Sequence, residues 1–394
     1  MADYDPLDLT AWCNADAAIL GTARPPALGR QTFHGLPFQI GRPEAASTAA
    51  AFLAFGEGGY AAPLTIPIGR AARRVIVAHR LLDSTLYEGG PVGTIVADYT
   101  LLLASGERVG VPVRERFEIV ALSIPWGGHT FNAVYDRQDG TLPRHSGPWG
   151  AAGYGQTEVE QANPRDYVLF TWENPQPGQA IAALEIAPRG PRFIVAAITL
   201  GHLDEHPFNR AGARPVAIAL PRPADRDRPF DLTVTVDRGI ATYPYALPTA
   251  TPEAFLADGF AGFGRAQHAA SSPAYVEIAA IPSATVTVSQ GDEILGQARW
   301  GELEARGSLA PTPRLRLEIV DPGRNWVHTT VIDDETGKPV PCRVHFRSPE
   351  GIPYQPHGHH GHVNSNLDTW HIDVGRSPTP TPTAPARAGC RAAR

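Results

Sequence analysis

The fold class can be argued from GTIVADYTLLLASGERVGVPV, at residues 93–113. Two runs of β-branched and apolar residues flank ASGER (104–108), whose small and charged residues are typical of a tight turn. The stretch therefore predicts a β-hairpin. Comparable runs on either side predict further strands at residues 73–82, 117–124, 166–174, 180–188 and 192–200.

Helical periodicity is nearly absent from the chain. Two candidate helices are PEAASTAAAFLAFG (43–56) and TPEAFLADGF (251–260), while 39 glycines and 39 prolines are spread along the sequence and punctuate it. Short strands at regular spacing, separated by Gly/Pro turns, predict an all-β fold of tandem antiparallel β-sandwiches.

The length of 394 residues predicts more than one domain. A linker rich in Pro, Arg and Asp (219–231) precedes a second series of strands at 231–239, 274–294 and 298–305, and a third series opens at 308–320, with turns expected at 333–337 and 349–351. The predicted divisions are a first sandwich at 1–222, a small sandwich at 223–310, an incomplete β-domain at 311–375 and a disordered tail at 376–394.

The tail RSPTPTPTAPARAGCRAAR has no apolar alternation and cannot bury a strand. One interpretation is a natural Pro/Thr linker. We favour a second, a shifted reading frame that cuts the third domain short, because about 65 residues supply too few strands to cover a sandwich core.

Composition limits the classes of partner. A net charge of -6 argues against nucleic-acid binding, and no stretch has the length of apolar sequence that a membrane span needs. The acidic N-terminus lacks the pattern of a signal peptide, and the cysteines Cys13, Cys342 and Cys390 are odd in number and far apart. The expectation is a cytoplasmic protein without a disulfide framework.

Several segments resemble known families. GRQTFHGLPFQIG (29–41), the hairpin at 93–113 and YVLFTWENPQPGQAIAALEIAP (167–188) are similar to galactose-binding-like β-sandwich modules that accompany bacterial glycoside hydrolases, over roughly residues 7–200. VIDDETGKPVPCRVHF (331–346) resembles the first hairpin of carboxypeptidase-regulatory-like, transthyretin-like domains. The resemblance implies a jelly roll followed by one or two smaller Ig-like or transthyretin-like sandwiches.

The serial arrangement also looks like the N-terminal part of carbaryl-hydrolase-type metallohydrolases, whose catalytic domain is of the polymerase-and-histidinol-phosphatase type. That resemblance implies a catalytic domain beyond the end of this chain. None of its histidine motifs can be placed on a residue of this sequence.

A long glycine-rich segment at 123–156 carries the candidate binding residues. Its aromatic rings suit the apolar faces of sugars, and its amide and carboxylate groups suit their hydroxyls, on a loop held by a rigid sandwich. The tentative ligand-binding set is Trp126, His129, Asn132, Asp136, Trp149 and Tyr154. The alternative is that the aromatic residues only pack the loop against its own domain.

HGHHGHVN (357–364) raises the question of a metal site. On a strand, His357 and His359 would face one side and His360 and His362 the other, which leaves two ligands on each face where zinc needs three or four. His345, His371 and Asp373 could add a third ligand across neighbouring strands, which leaves a metal site as the alternative. The two glycines of the motif favour a solvated loop, so no metal or cofactor is expected.

Motifs for an enzymatic nucleophile or a phosphate-binding loop are absent from the sequence. A glycosidase needs two carboxyl groups on either side of the bond, and the sequence marks no second candidate beside Glu173. His202 to His206 match no metal motif. The prediction is a set of non-catalytic, carbohydrate-binding accessory modules that position substrate for a hydrolase domain. The alternative is a metal-dependent hydrolase or a fragment of one.

Overall fold

The computed structural model describes residues 2–42, 49–122, 130–138, 140–141, 159–160, 163–208, 213–228, 231–242, 244–246, 271–320, 332–338, 346–347 and 353–354. The chain forms two compact units. Of the described residues, the first unit holds 2–138 and 163–208, and the second holds 140–160 and 213–354. Both units consist mainly of antiparallel strands, which confirms the predicted all-β class.

The first fourteen strands are β1 (Tyr4–Pro6), β2 (Gly29–Phe33), β3 (Leu36–Ile40), β4 (Leu53–Phe55), β5 (Leu64–Ala71), β6 (Arg74–Leu81), β7 (Ile95–Leu103), β8 (Arg108–Arg114), β9 (Ala133–Tyr135), β10 (Gly140–Thr141), β11 (Val159–Glu160), β12 (Val168–Glu173), β13 (Ala180–Pro188) and β14 (Phe193–Gly201). Short 3₁₀ helices span Ala17–Leu20 and Leu86–Glu88.

The later elements are β15 (Arg214–Ala219), helix α1 (Pro223–Arg226), β16 (Leu232–Val236), β17 (Gly239–Ala241), β18 (Tyr245–Ala246), β19 (Ala274–Ala280), β20 (Thr285–Gln290), β21 (Glu293–Arg299), helix α2 (Trp300–Arg306), β22 (Ser308–Thr312), β23 (Leu315–Ile319), β24 (Phe346–Arg347) and β25 (Pro353–Tyr354).

The first unit is a sandwich of two antiparallel sheets. Sheet A has the order β1-β14-β6-β12-β9, with β4 also paired to β14, and sheet D has the order β5-β13-β7-β8. The side chains between the sheets form one apolar core, which includes Val77, Tyr99, Leu101, Phe170 and Leu184. Its strands β6, β7, β8, β12, β13 and β14 confirm the sequence prediction at those positions, including the hairpin at 93–113.

A second apolar core covers the opposite face of sheet A. Residues of the β2–β3 hairpin and of β4 pack there against Ile76, Ala78 and Ile194. Sheet A is therefore buried on both faces, and all nine residues of β14 are buried. Burial on both faces explains why β14 is a continuous apolar run and not an alternating one.

The β2–β3 hairpin turns through two residues. Phe33 pairs with Leu36, and the residues between them, His34 and Gly35, have φ of 51° and 74°. Two consecutive positive φ values define the hairpin turn whose twist matches that of the strands, and Gly suits the second position. His34 also reaches out of the turn, since its Nε2 lies 2.8 Å from the carbonyl oxygen of Tyr135.

The second unit contains a sheet of order β17-β19-β15-β23-β22, with β18 on β19, and a three-stranded sheet of order β16-β20-β21. Their apolar side chains share one core, in which Trp300 and Leu303 of α2 are buried. The turn predicted at 333–337 is present, because Oδ1 of Asp333 accepts the N–H groups of Glu335 and Thr336 at 3.1 and 2.7 Å.

Strand pairing in the second unit differs from the predicted divisions. β15, expected in the domain ending at residue 222, pairs with β19 and β23. β22 and β23, expected to open a third domain, lie in this same sheet. The strands of the second sandwich therefore extend from Arg214 to Ile319, because both ends supply apolar residues to one core.

Three local predictions are wrong. The described part of the helix expected at 43–56 contains β4, a buried strand paired with β14. The strand expected at 298–305 gives way to α2, which ends at Gly307 with φ of 73°. The strand expected at 117–124 is a turn with isolated bridges as far as residue 122. The helix expected at 251–260 and the tail at 376–394 lie outside the described residues.

The helices among the described residues are short: none has the length and apolar character needed to cross a membrane.

Candidate functional site

The end of β8 leads into a tight turn that replaces the predicted strand. The carbonyl oxygen of Arg114 accepts the N–H groups of Phe117, Glu118 and Ile119 at 3.1 to 3.3 Å. Arg116 closes the turn with φ of 71°, a left-handed conformation that is uncommon for a residue with a side chain. The chain thus projects Arg116 and Phe117 at the tip of a closed turn.

A second segment, just before β9, holds this turn in place. The N–H of Phe131 donates to the carbonyl of Arg116 at 3.0 Å, and the N–H of Asn132 donates to the carbonyl of Phe117 at 2.9 Å. The hydroxyl of Thr130 donates to the carbonyl of Ala133 at 2.8 Å. Backbone hydrogen bonds therefore fix the two segments side by side.

The two segments present a pair of aromatic rings. Phe117 and Phe131 lie 5.2 Å apart between ring centroids at an interplanar angle of 53°. The guanidinium of Arg114 lies 4.3 Å from the centroid of Phe117, and that of Arg116 lies 5.3 Å from the centroid of Phe131. Both distances are within the range of cation–π attraction. We call Arg114, Arg116, Phe117, Phe131 and Asn132 the Phe117–Phe131 surface.

The surface is open to solvent. Phe131 is 37% exposed, Phe117 is half-buried and Asn132 is exposed. Gly93 lies beside the ring of Phe117, since a Cβ at this position would lie in ordinary van der Waals contact, 3.4 Å from Cε2 of that ring. Ile95, which pairs with Arg114 in the β7–β8 ladder, is 46% exposed.

Glu118 is the buried support of the surface. The residue is 2% exposed, and its carboxylate accepts four hydrogen bonds. Three come from Arg114 (backbone N at 2.9 Å, Nε at 3.1 Å, Nη2 at 2.7 Å), and one comes from Nδ2 of Asn132 at 2.8 Å. The hydrogen bonds to Glu118 raise the pKa of Arg114 further above its ordinary value. Glu118 therefore holds the guanidinium over Phe117 and orients the amide of Asn132.

The nitrogen and the oxygen of the Asn132 amide differ in their hydrogen bonds to the described residues. Its Nδ2 is used by Glu118, while its Oδ1 accepts no hydrogen bond from the part of the chain that the structure describes. An exposed amide oxygen beside an aromatic ring can accept a hydroxyl proton of a ligand stacked on that ring.

Asp136 lies elsewhere. It follows β9, whereas Asn132 precedes it, so about 13 Å of strand separates them. The side chain is 4% exposed, and its carboxylate accepts the backbone N–H groups of Arg165, Asp166 and Tyr167 at 2.7, 2.7 and 3.0 Å. Burial raises the pKa of Asp136, against the opposing effect of these donors. This carboxylate is used inside the fold.

The structure places two of the six predicted ligand residues, Asn132 and Asp136, and does not bring them together. Trp126, His129, Trp149 and Tyr154 lie outside the described residues, as do the histidines at 357–362. The sequence prediction missed Arg114, Phe117, Glu118 and Phe131. For the first three the signal was the charged and aromatic run RERFE (114–118), in which Arg and Glu are four residues apart.

Other acidic candidates hold structural contacts. Glu173 forms an ion pair with Arg74 at 2.9 Å. In the segment 202–206, which matches no metal motif, Glu205 is 9% exposed and accepts the hydroxyl of Tyr4 at 2.7 Å. Within the described ranges, no three His, Cys, Asp or Glu side chains are grouped so that they could hold a metal ion.

Comparison with protein-family models, with curated proteins and with solved structures gives no match to this chain.

Proposed function

We propose that this chain is a non-catalytic binding protein whose first sandwich recognises carbohydrate at the Phe117–Phe131 surface and positions it for a hydrolase domain. The observation that carries the proposal is a solvent-accessible aromatic pair next to an oriented amide, on two adjacent segments held by a buried carboxylate. Sugars have apolar C–H faces that stack on such rings, and hydroxyls that need oriented acceptors.

The chemistry of Glu118 favours binding over catalysis at this surface. A glycosidase needs two carboxyl groups that can reach the bond being broken. Glu118 is buried, and both of its oxygens are used by Arg114 and Asn132. The neighbouring Glu115 is 4% exposed and accepts the hydroxyl of Ser84. Both acids therefore serve to hold the turn. The sequence resemblance alone supports the further proposal that this hydrolase domain is a metallohydrolase.

Calorimetric titration with a panel of neutral and acidic oligosaccharides tests the proposal. We expect one class to bind the full chain, and Phe131→Ala to weaken that binding about tenfold, as loss of one aromatic contact of roughly 1.4 kcal/mol predicts. Asn132→Ala removes one hydrogen bond and is expected to weaken binding about threefold to tenfold.

Ile294→Ala is the matched control, since Ile294 is a 58% exposed hydrophobic residue on β21 of the second unit. It should bind as the wild type does. Failure of every sugar in the panel to bind at millimolar concentration, or unchanged binding by Phe131→Ala, would refute the proposed function.

A further inference from the structure

A histidine in the core of the first sandwich contacts the turn that carries the Phe117–Phe131 surface. His79, in β6, has no exposed surface. Its Nε2 lies 2.8 Å from the carbonyl oxygen of Glu118, and its Nδ1 lies 3.0 Å from the hydroxyl of Tyr99, which belongs to the opposite sheet. The ring is also stacked on Phe170 at 6.2 Å and 11°.

These contacts determine the tautomer of His79. A carbonyl oxygen only accepts, so Nε2 carries the proton and donates it to Glu118. In the neutral ring Nδ1 is then an acceptor, which receives the hydroxyl proton of Tyr99. Burial lowers the pKa of His79 to about 4 and keeps the ring in this neutral form at pH 7.

Glu118 thus joins the core to the surface. Its carbonyl receives the proton of His79, while its carboxylate holds Arg114 and Asn132. Without His79 the carbonyl of Glu118 would be buried and unsatisfied, so the turn would gain by rotating that peptide group away. Such a rotation would move the carboxylate and release the side chains that it orients.

We propose that His79 is a positioning residue, which acts through Glu118 to fix the geometry of the Phe117–Phe131 surface. Its consequence for ligand binding rests on the proposed function. Its consequence for the turn does not, because the turn can be measured without a ligand.

Hydrogen–deuterium exchange of the full chain tests this role. His79→Met removes the donor and places an apolar side chain of similar length in the core. We expect exchange at the amides of Phe117, Glu118, Ile119 and Asn132 to accelerate about tenfold, as loss of one hydrogen bond predicts. Amides of β13, in the opposite sheet, serve as the internal reference.

Two further variants separate positioning from packing. Gln carries an amide nitrogen the same number of bonds from Cβ as Nε2 of His, so His79→Gln should restore slow exchange in the turn. Tyr99→Phe removes the other hydrogen bond of His79 and leaves the contact with Glu118, so it should spare the turn. Equal acceleration in His79→Met and Tyr99→Phe, or acceleration spread evenly over β13, would overturn the proposal.

A measurement on the wild type covers the case in which His79→Met does not fold. ¹⁵N NMR of the imidazole should show a protonated Nε2 with a scalar coupling across the hydrogen bond to the carbonyl carbon of Glu118; an unprotonated Nε2 overturns the proposal. Sugar titration of the same variants separates the two hypotheses. If the wild type binds no sugar, the proposed function fails and the exchange data still decide the role of His79.

Discussion

Replacement of Asp136 distinguishes a structural carboxylate from a ligand-binding one. A carboxylate could bind the hydroxyls of a sugar, yet that of Asp136 accepts three backbone N–H groups, and the residue is only 4% exposed. Asp136→Ala would leave these donors without their acceptor at the start of β12, the strand that pairs with both β6 and β9.

The magnitude follows from the number of donors and their surroundings. A hydrogen bond to a charged group contributes about 1.5–3 kcal/mol, so three would contribute about 5–9 kcal/mol. Two effects reduce this sum: water can reach part of the emptied site, and burial of the ionised carboxylate is itself unfavourable, as its raised pKa indicates. We expect a net loss of about 3–5 kcal/mol for Asp136→Ala, and about 1–2 kcal/mol for Asp136→Asn, whose neutral amide oxygen still accepts.

Urea unfolding followed by circular dichroism measures these free energies. Asp98→Ala is the matched control: Asp98 is partly exposed and paired with Arg189 on the surface of sheet D, so its loss should cost less than about 1 kcal/mol. If Asp136→Ala is no more destabilising than Asp98→Ala, the carboxylate does not hold β12 in place and the structural assignment is refuted.

Two further predictions concern other parts of the first unit. The folded-state pKa of His79, about 4, lies below the unfolded value of about 6.5. With respect to this group, the folded protein therefore keeps its full stability above pH 6.5 and loses about 3 kcal/mol as the pH falls towards 4. Urea unfolding from pH 7 to 4.5 should show a decrease in the free energy of unfolding that is smaller in His79→Gln, and equal decreases would contradict the assignment. Gly35→Ala should cost about 1–2 kcal/mol in the same assay because φ is 74° there, whereas Gly110→Ala, at a position without positive φ, should stay within about 0.5 kcal/mol; equal costs would count against the turn geometry.

The strands of the first sandwich were predictable because the apolar runs and the turn residues between them indicate the same strand boundaries. The run at 93–113 places a turn between two strands, and TWENPQPG (171–178) places the end of β12 at Glu173, followed by a turn in which the side chain of Asn174 donates to the carbonyls of Ala72 and Gln176 at 2.9 and 3.2 Å. In both cases the local turn chemistry and the long-range pairing favour the same conformation.

Where local and long-range signals disagree, the prediction failed. FEIVALSI (117–124) is an apolar run with β-branched residues, which is typical of a strand. Arg114 and Glu118, however, lie four residues apart and form an ion pair that favours a closed turn. At 300–306 the signals for a helix were present, with Glu302 and Arg306 four residues apart and Gly307 at the end, but the neighbouring strands dominated the interpretation. In both segments a charged i,i+4 pair was the better predictor.

The double burial of sheet A explains why the candidate site lies at a turn. The first core occupies one face of this sheet and the second core occupies the other, so neither face is available to a ligand over the described strands. The sequence predicts the apolar run of β14 but not the second core on the opposite face of sheet A. The reason is that Phe33, Phe38 and Phe52 are distant in sequence from the strands that they cover. Binding in the described part of this unit is therefore left to the outer face of sheet D and to the connections. Among those connections, the turn after β8 and the segment before β9 combine two solvent-accessible rings with a buried charged support, which is why Phe117 and Phe131 are the residues to test.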